Sequence, residues 1–144
     1  MKVSSKSRYA LLALVELDQR TRASSRPVRL TDLAHERDIP EQFLEQVFAA
    51  LRRAGLVTGH RGVGGGFTFA RSPDRVTVLE VVRALDGAVE LEVCTPGDCD
   101  LEERVGAGAV WQAAGTAYED VLARTTIADL AQREFQAGGP TYQI

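Results

Sequence analysis

The chain has 144 residues, 44% of them hydrophobic, with two cysteines and a formal net charge of -3. That length and apolar content suit one folded domain with or without an appendage, and exclude a disordered chain. Two cysteines are too few for a disulfide framework, and no apolar run approaches the roughly 20 residues that span a bilayer.

From Ser5 to Gln19 the residues Ala10, Ala13, Leu14 and Leu17 recur at i, i+3, i+4 and i+7, which predicts a helix with one apolar face. Glu16 and Asp18 stand where a signal peptide would continue apolar, so a cytoplasmic protein without membrane attachment is expected. "RASSRP" breaks this helix. Leu30, Leu33 and Ala34 start a second, short one with Thr31 as its expected cap, and Pro40 opens a third. There Leu44, Val47, Phe48 and Leu51 repeat the apolar spacing, and Gly55 marks the end just after Arg52 and Arg53. Two such helices joined by a short turn, behind a packing helix, form a helix-turn-helix pattern.

The next stretch, "LVTGHRGVGGGFTF" at residues 56–69, carries four glycines within five positions. A phosphate loop of the Walker type requires Lys-Ser or Lys-Thr after the glycines, and a dinucleotide fingerprint requires glycine where Phe67 stands. Both also require a helix after the loop. Here residues 56–59 and 67–70 read as two short strands, so the run is a hairpin connection, a wing, or a plain glycine-rich turn. Thr77 and Glu80 then form a capping box for a helix ending near Asp86, with Gly87 as its stop. Residues 88–100 are an acidic loop. Asp100 and Glu103 predict a second box, opening a long helix to about Arg124. Ala107, Val110, Ala114, Ala117 and Val121 give that helix an apolar stripe, widened by Trp111, Tyr118 and Leu122. It either folds back on its own domain or joins two chains. The second is favoured at the end of a small DNA-binding unit, because paired half-sites call for a two-fold protein. Thr126 caps a short last helix, "IADLAQRE".

The expected architecture is mainly α: a winged helix-turn-helix domain with a small two-stranded β-wing over residues 1–87, a cysteine loop at 88–100, and a long dimerisation helix with a tail over 101–144. The charge is split along it. Residues 1–75 hold thirteen Lys and Arg against eight Asp and Glu, whereas 76–144 hold four against twelve. A basic half beside an acidic half suggests that the first contacts nucleic acid.

The segments "SSKSRYALLALVELD", "DIPEQFLEQVFAALRRAGLVTGHRGVGGGF" and "VTVLEVVRALDG", with the cysteine loop leading to "AVW", resemble the Rrf2 family of bacterial winged-helix transcriptional regulators, nearly throughout the chain to about Ala131. The resemblance implies a homodimer that binds double-stranded operator DNA through the third helix in the major groove and the wing at the minor groove. By position it places Gln42, Phe43, Glu45 and Gln46 on the DNA side, with Arg61 at the wing. The chemistry agrees: Glu45 accepts from a cytosine amino group, Gln46 pairs with adenine, and Arg61 suits a narrow, electronegative minor groove. Lys2, Lys6, Arg8, Arg52 and Arg53 are candidates for phosphate contacts, which position without reading sequence. A repressor is the expected mode of action.

Cluster-binding members of that family carry three cysteines in this loop and a further ligand such as histidine. Cys94 and Cys99 match the first two, but Val105 stands at the third and Gly108 at the histidine. A 2Fe-2S cluster needs four ligands, and the remainder would have to come from groups such as Glu92, Asp98, Glu102 or His35, or from the Arg8 side of a partner subunit. Three readings of the pair stay open: a cluster completed by non-cysteine ligands, a thiol-disulfide switch, or remnant cysteines with the signal delivered by a partner protein or small molecule. The nearby Glu90, Glu92, Asp98 and Asp100 raise a thiol pKa by like charge, which counts against the switch. A cysteine-based oxidoreductase is not expected, since CxxC, a βαβ unit and a nucleotide fingerprint are all missing. An adaptor that uses the winged helix to bind protein is a further rival.

Overall fold

The computed structural model describes residues 3–88 and 105–138. The first helix, α1 (Ser5–Ala23), is capped by the Ser4 hydroxyl, which accepts from the Ser7 N–H. Its expected face, Ala10, Ala13, Leu14 and Leu17, is fully buried. The helix runs past Gln19 because Arg20 and Arg22 reach back one turn to Glu16 and Asp18, and opposite charges four residues apart support a helix. Both acids are buried.

α2 (Leu30–Glu36) is capped by the backbone of Arg29 without a side-chain bond, so Thr31, the expected cap, lies inside the first turn. The cause is tertiary. Val28 pairs antiparallel with Phe67, its N–H and C=O both bonded to that residue, and this extends the chain up to Arg29. Pro40 likewise stands just before α3 (Glu41–Arg53) rather than in its first turn. Strands β1 (Val57–His60) and β2 (Gly66–Phe69) pair antiparallel, with Val57 opposite Phe69 and His60 opposite Gly66. β1 starts one residue later than expected because the Leu56 N–H still closes the helix exit on Leu51 O.

A 3-10 turn (Pro73–Arg75) leads to α4 (Val78–Asp86), where the Thr77–Glu80 capping box is complete. α5 (Ala107–Arg124) is entered through Gly106 at φ 69°; the expected Asp100–Glu103 box lies outside the described residues. α6 (Ile127–Gln136) has its own box, Thr126 with Asp129. The entries to α4 and α6 are stitched together, Val78 N–H donating to Thr125 O and Ile127 N–H to Val76 O.

The described part is thus mainly α with a two-stranded antiparallel sheet. One core holds it together. Phe48, Leu14, Leu17, Leu33, Leu44 and Leu51 are fully buried, and so is Ile127 from α6, which packs along α1. The Arg37 side chain, 5% exposed, joins the helix-turn-helix to both of these helices: it donates to Glu16 of α1 at 3.0 Å and to Glu134 of α6 at 2.9 Å. Among the described residues no helix is long and apolar enough to cross a membrane.

Candidate nucleic-acid interface

The buried residues of α3, Leu44, Val47, Phe48 and Leu51, leave the opposite face to Gln42, Glu45, Gln46 and Arg53, all exposed. Two residues flank that face. Phe43 is half-buried and meets Tyr9 of α1 edge-on, with ring centroids 5.6 Å apart and planes at 81°. On the other side the Arg52 side chain lies across β1, close to Gly59, where a Cβ would sit 3.7 Å from its Nη1. The polar face of α3 is therefore bounded by the start of α1 and by the wing.

The wing is fastened to α3 by Phe67 on β2, whose ring meets Phe48 at 4.9 Å. Its glycines serve close approach as well as turning. A Cβ on Gly65 would strike the carbonyl of His60, and one on Gly66, at φ 149°, would strike the carbonyl of Val28. Gly66 thus admits residue 28 as a third edge of the wing. Across the hairpin His60 Nε2 lies 2.9 Å from Thr68 Oγ1. Arg61 follows in the turn, exposed, and Val63 stands fully exposed at the tip.

Ion pairing divides the basic half in two. Arg20, Arg22, Arg37 and Arg71 are held by Glu16, Asp18, Glu134 and Glu80. Arg37 has its pKa raised, first by its hydrogen bond to Glu134, so its charge is bound into the fold. By contrast Lys6, Arg8, Arg26, Arg29, Arg52, Arg53 and Arg61, together with Arg75 in the 3-10 turn, are exposed and make no ion pair among the described residues. Lys6, Arg8, Arg52, Arg53 and Arg61 are the sequence-derived cations; Arg26, Arg29 and the ring of Tyr9 were missed. The last two became visible only through the Val28–Phe67 pairing and the Tyr9–Phe43 contact.

The start of α1 is tied to the end of α4. Asp86 accepts from the Ser4 hydroxyl, from the Ser4 N–H at 3.2 Å and from the Ser7 hydroxyl at 2.8 Å. Burial opposes its ionisation, yet the Ser4 and Ser7 bonds and the Lys6 charge hold its carboxyl below the usual range. Lys6 and Arg8 thus ride on a helix start that is anchored one residue before Gly87 and the cysteine loop.

Cys94 and Cys99 lie outside the described residues, as do Lys2, Glu90, Glu92, Asp98, Asp100 and Glu102. Val105 is exposed hydrocarbon, and Gly108 in the first turn of α5 carries no ligand atom. Among the described residues no three His, Cys, Asp or Glu are grouped to hold a metal ion. The two thiols alone do not meet the four ligands of a 2Fe-2S cluster.

α5 has no buried residue, and Val110, Trp111 and Val121 are 61%, 42% and 58% exposed. It packs against α4, with an ion pair from Arg83 to Glu119 at 2.9 Å.

Residues 3–133 match a family model described as Rrf2, iron-dependent transcriptional regulator. The chain is 34% identical over 131 residues to the HTH-type transcriptional regulator IscR of Vibrio campbellii, covering 90% of this chain and 77% of that one. It is 33% identical over 131 residues to the HTH-type transcriptional regulator CymR of Bacillus subtilis, covering 91% and 90%. Among solved structures it superposes on CymR, the global cysteine regulator of B. subtilis, with a TM-score of 0.78 at 32% identity over 92% of this chain and 98% of that one. For T. potens IscR the TM-score is 0.75 at 30% identity, over 100% and 94%.

Proposed function

This chain belongs to the Rrf2 family of transcriptional regulators, and we propose that it is a cytoplasmic, homodimeric repressor that occupies a palindromic operator and responds to a signal through the loop carrying Cys94 and Cys99. One observation carries the DNA-binding part: among the cations without an ion pair in the described residues, Lys6 and Arg8 on α1, Arg52 and Arg53 on α3, Arg61 in the wing and Arg29 beside Gly66 border the polar face of α3, while Arg20, Arg22, Arg37 and Arg71 secure the fold. In this reading Glu45 and Gln46 meet base edges in the major groove, Gln42 and Phe43 flank them, and Arg61 enters the minor groove. Lys6, Arg8, Arg52 and Arg53 hold phosphates and set the register. Phe43, braced on Tyr9, also sets how α3 sits on α1. The relatives are named as transcriptional regulators, and none of this chemistry is catalytic.

The dimer is proposed from α5. An 18-residue helix that exposes Val110, Trp111 and Val121 leaves an apolar face of the kind a second copy covers. Selection of bound fragments from a randomised duplex library, followed by footprinting, tests the whole reading. It predicts a palindrome with half-site centres about 34 Å apart. Binding that ignores salt, or protection of a single half-site, would overturn it, the first outcome favouring a protein-binding adaptor.

A further inference from the structure

We infer that Arg29, in the connection between α1 and α2, is a phosphate-binding residue that forms a third basic element of the interface beside the recognition helix and the wing; this rests on the DNA-binding reading above. Val28 is bonded to Phe67 through its N–H at 2.9 Å and its C=O at 2.7 Å. Because the pairing is antiparallel, the residue after Val28 lies beside the residue before Phe67. Arg29 therefore sits next to Gly66, at the end of β2 nearest the wing tip and Arg61. The closeness is built in, since the Val28 carbonyl and the Arg29 nitrogen fill the space that a Cβ on Gly66 would take.

The backbone of Arg29 is held from both sides. Val28 is locked to the wing, and the Arg29 carbonyl accepts from the N–H groups of Asp32 and Leu33 in the first turn of α2. Its side chain, in contrast, is exposed, caps nothing and makes no ion pair among the described residues. A cation on a rigid base, at the seam between wing and helix-turn-helix and unused by the fold, is preorganised for a phosphate of the strand that passes between them. Such a contact positions the protein and reads no base.

The test measures duplex affinity against salt for the wild-type dimer, Arg29→Ala and Arg29→Lys, on a mixed-sequence 30-base-pair duplex and on the selected operator. One contact per protomer removes two phosphates per dimer, so Arg29→Ala makes the slope of log K against log salt shallower by about 1.8. The loss is the same on both duplexes, and Arg29→Lys keeps the wild-type slope. Because the side chain makes no hydrogen bond among the described residues, melting temperatures of all three proteins agree. An unchanged slope for Arg29→Ala, with wild-type binding intact, overturns this inference alone, as does a loss confined to the operator. Wild-type binding without salt dependence overturns the DNA-binding reading and this inference together.

Discussion

Gly66 and Arg61 stand five positions apart in the glycine run and have unrelated tasks. Gly66 admits the chain at residue 28, so Gly66→Ala forces either the hairpin or that edge to move. Its φ of 149° adds backbone strain for any side chain. The variant should lose more than about 1 kcal/mol of stability, the usual cost when alanine meets an incompatible backbone; an unchanged urea midpoint would show that the approach is not constrained. The Arg61 side chain is exposed and makes no ion pair among the described residues, so Arg61→Ala should leave stability unchanged while weakening operator binding by about 1–3 kcal/mol, read by fluorescence anisotropy. The cysteines belong to this scale too. Protein purified without oxygen that shows visible bands with matching iron and sulphide would have a cluster completed by ligands other than cysteine. A colourless, iron-free protein that still binds DNA would leave thiol chemistry or a partner as the signal.

At the scale of elements the informative feature is α6, which the sequence presents as a short helix after the arm and which packs on α1. Ile127→Ala should cost about 2–5 kcal/mol, the range for a buried large-to-small change; a loss below 1 kcal/mol in urea unfolding would mean that α6 is peripheral. Glu134 on the same helix gives a pH test. The Arg37 hydrogen bond is the main cause holding its carboxyl below the ordinary glutamate value, and Gln19 helps against the opposing effect of burial. A carboxylate depressed in the folded state stabilises above the unfolded pKa, and that contribution is lost as pH falls through the folded one. Glu134→Gln should therefore melt lower at neutral pH, and its melting temperature should fall less steeply than the wild type's below about pH 4.3. Parallel curves would assign the acid sensitivity elsewhere, for instance to Asp86 or Glu80, both also depressed.

For the whole molecule the question is what covers α5. Val110 and Val121 are exposed in the single chain, so charge there does not disturb the core around Phe48 and Leu14. Val110→Glu with Val121→Glu should leave the melting of the DNA-binding head unchanged, shift sedimentation toward the monomer and reduce operator affinity. A dimer that survives both changes would place the two-fold contact on another face. In the proposed dimer two copies of α3 and the wing would read two half-sites at a spacing that α5 determines.

The sequence by itself determined the element types, the core face of α1 and α3 and the Thr77–Glu80 box, because each is written in local spacing: apolar residues at helical intervals, a cap with its partner three residues on, glycines between strand-forming runs; the family was legible through the resemblance of whole segments. Ion pairing between separate elements was not legible in that way. Glu16, read only as a charge that breaks an apolar run, is buried because Arg37 arrives from beyond α2 to join Arg20, one turn along α1. Only the tertiary structure decided which cations are consumed by the fold and which stay free, and only it moved the α2 cap from Thr31 to Arg29. The cap depends on the pairing of residues 28 and 67 and the Arg37 charge on Glu16 and Glu134, partners far apart in sequence, and a contact at that separation leaves no periodic trace in either segment.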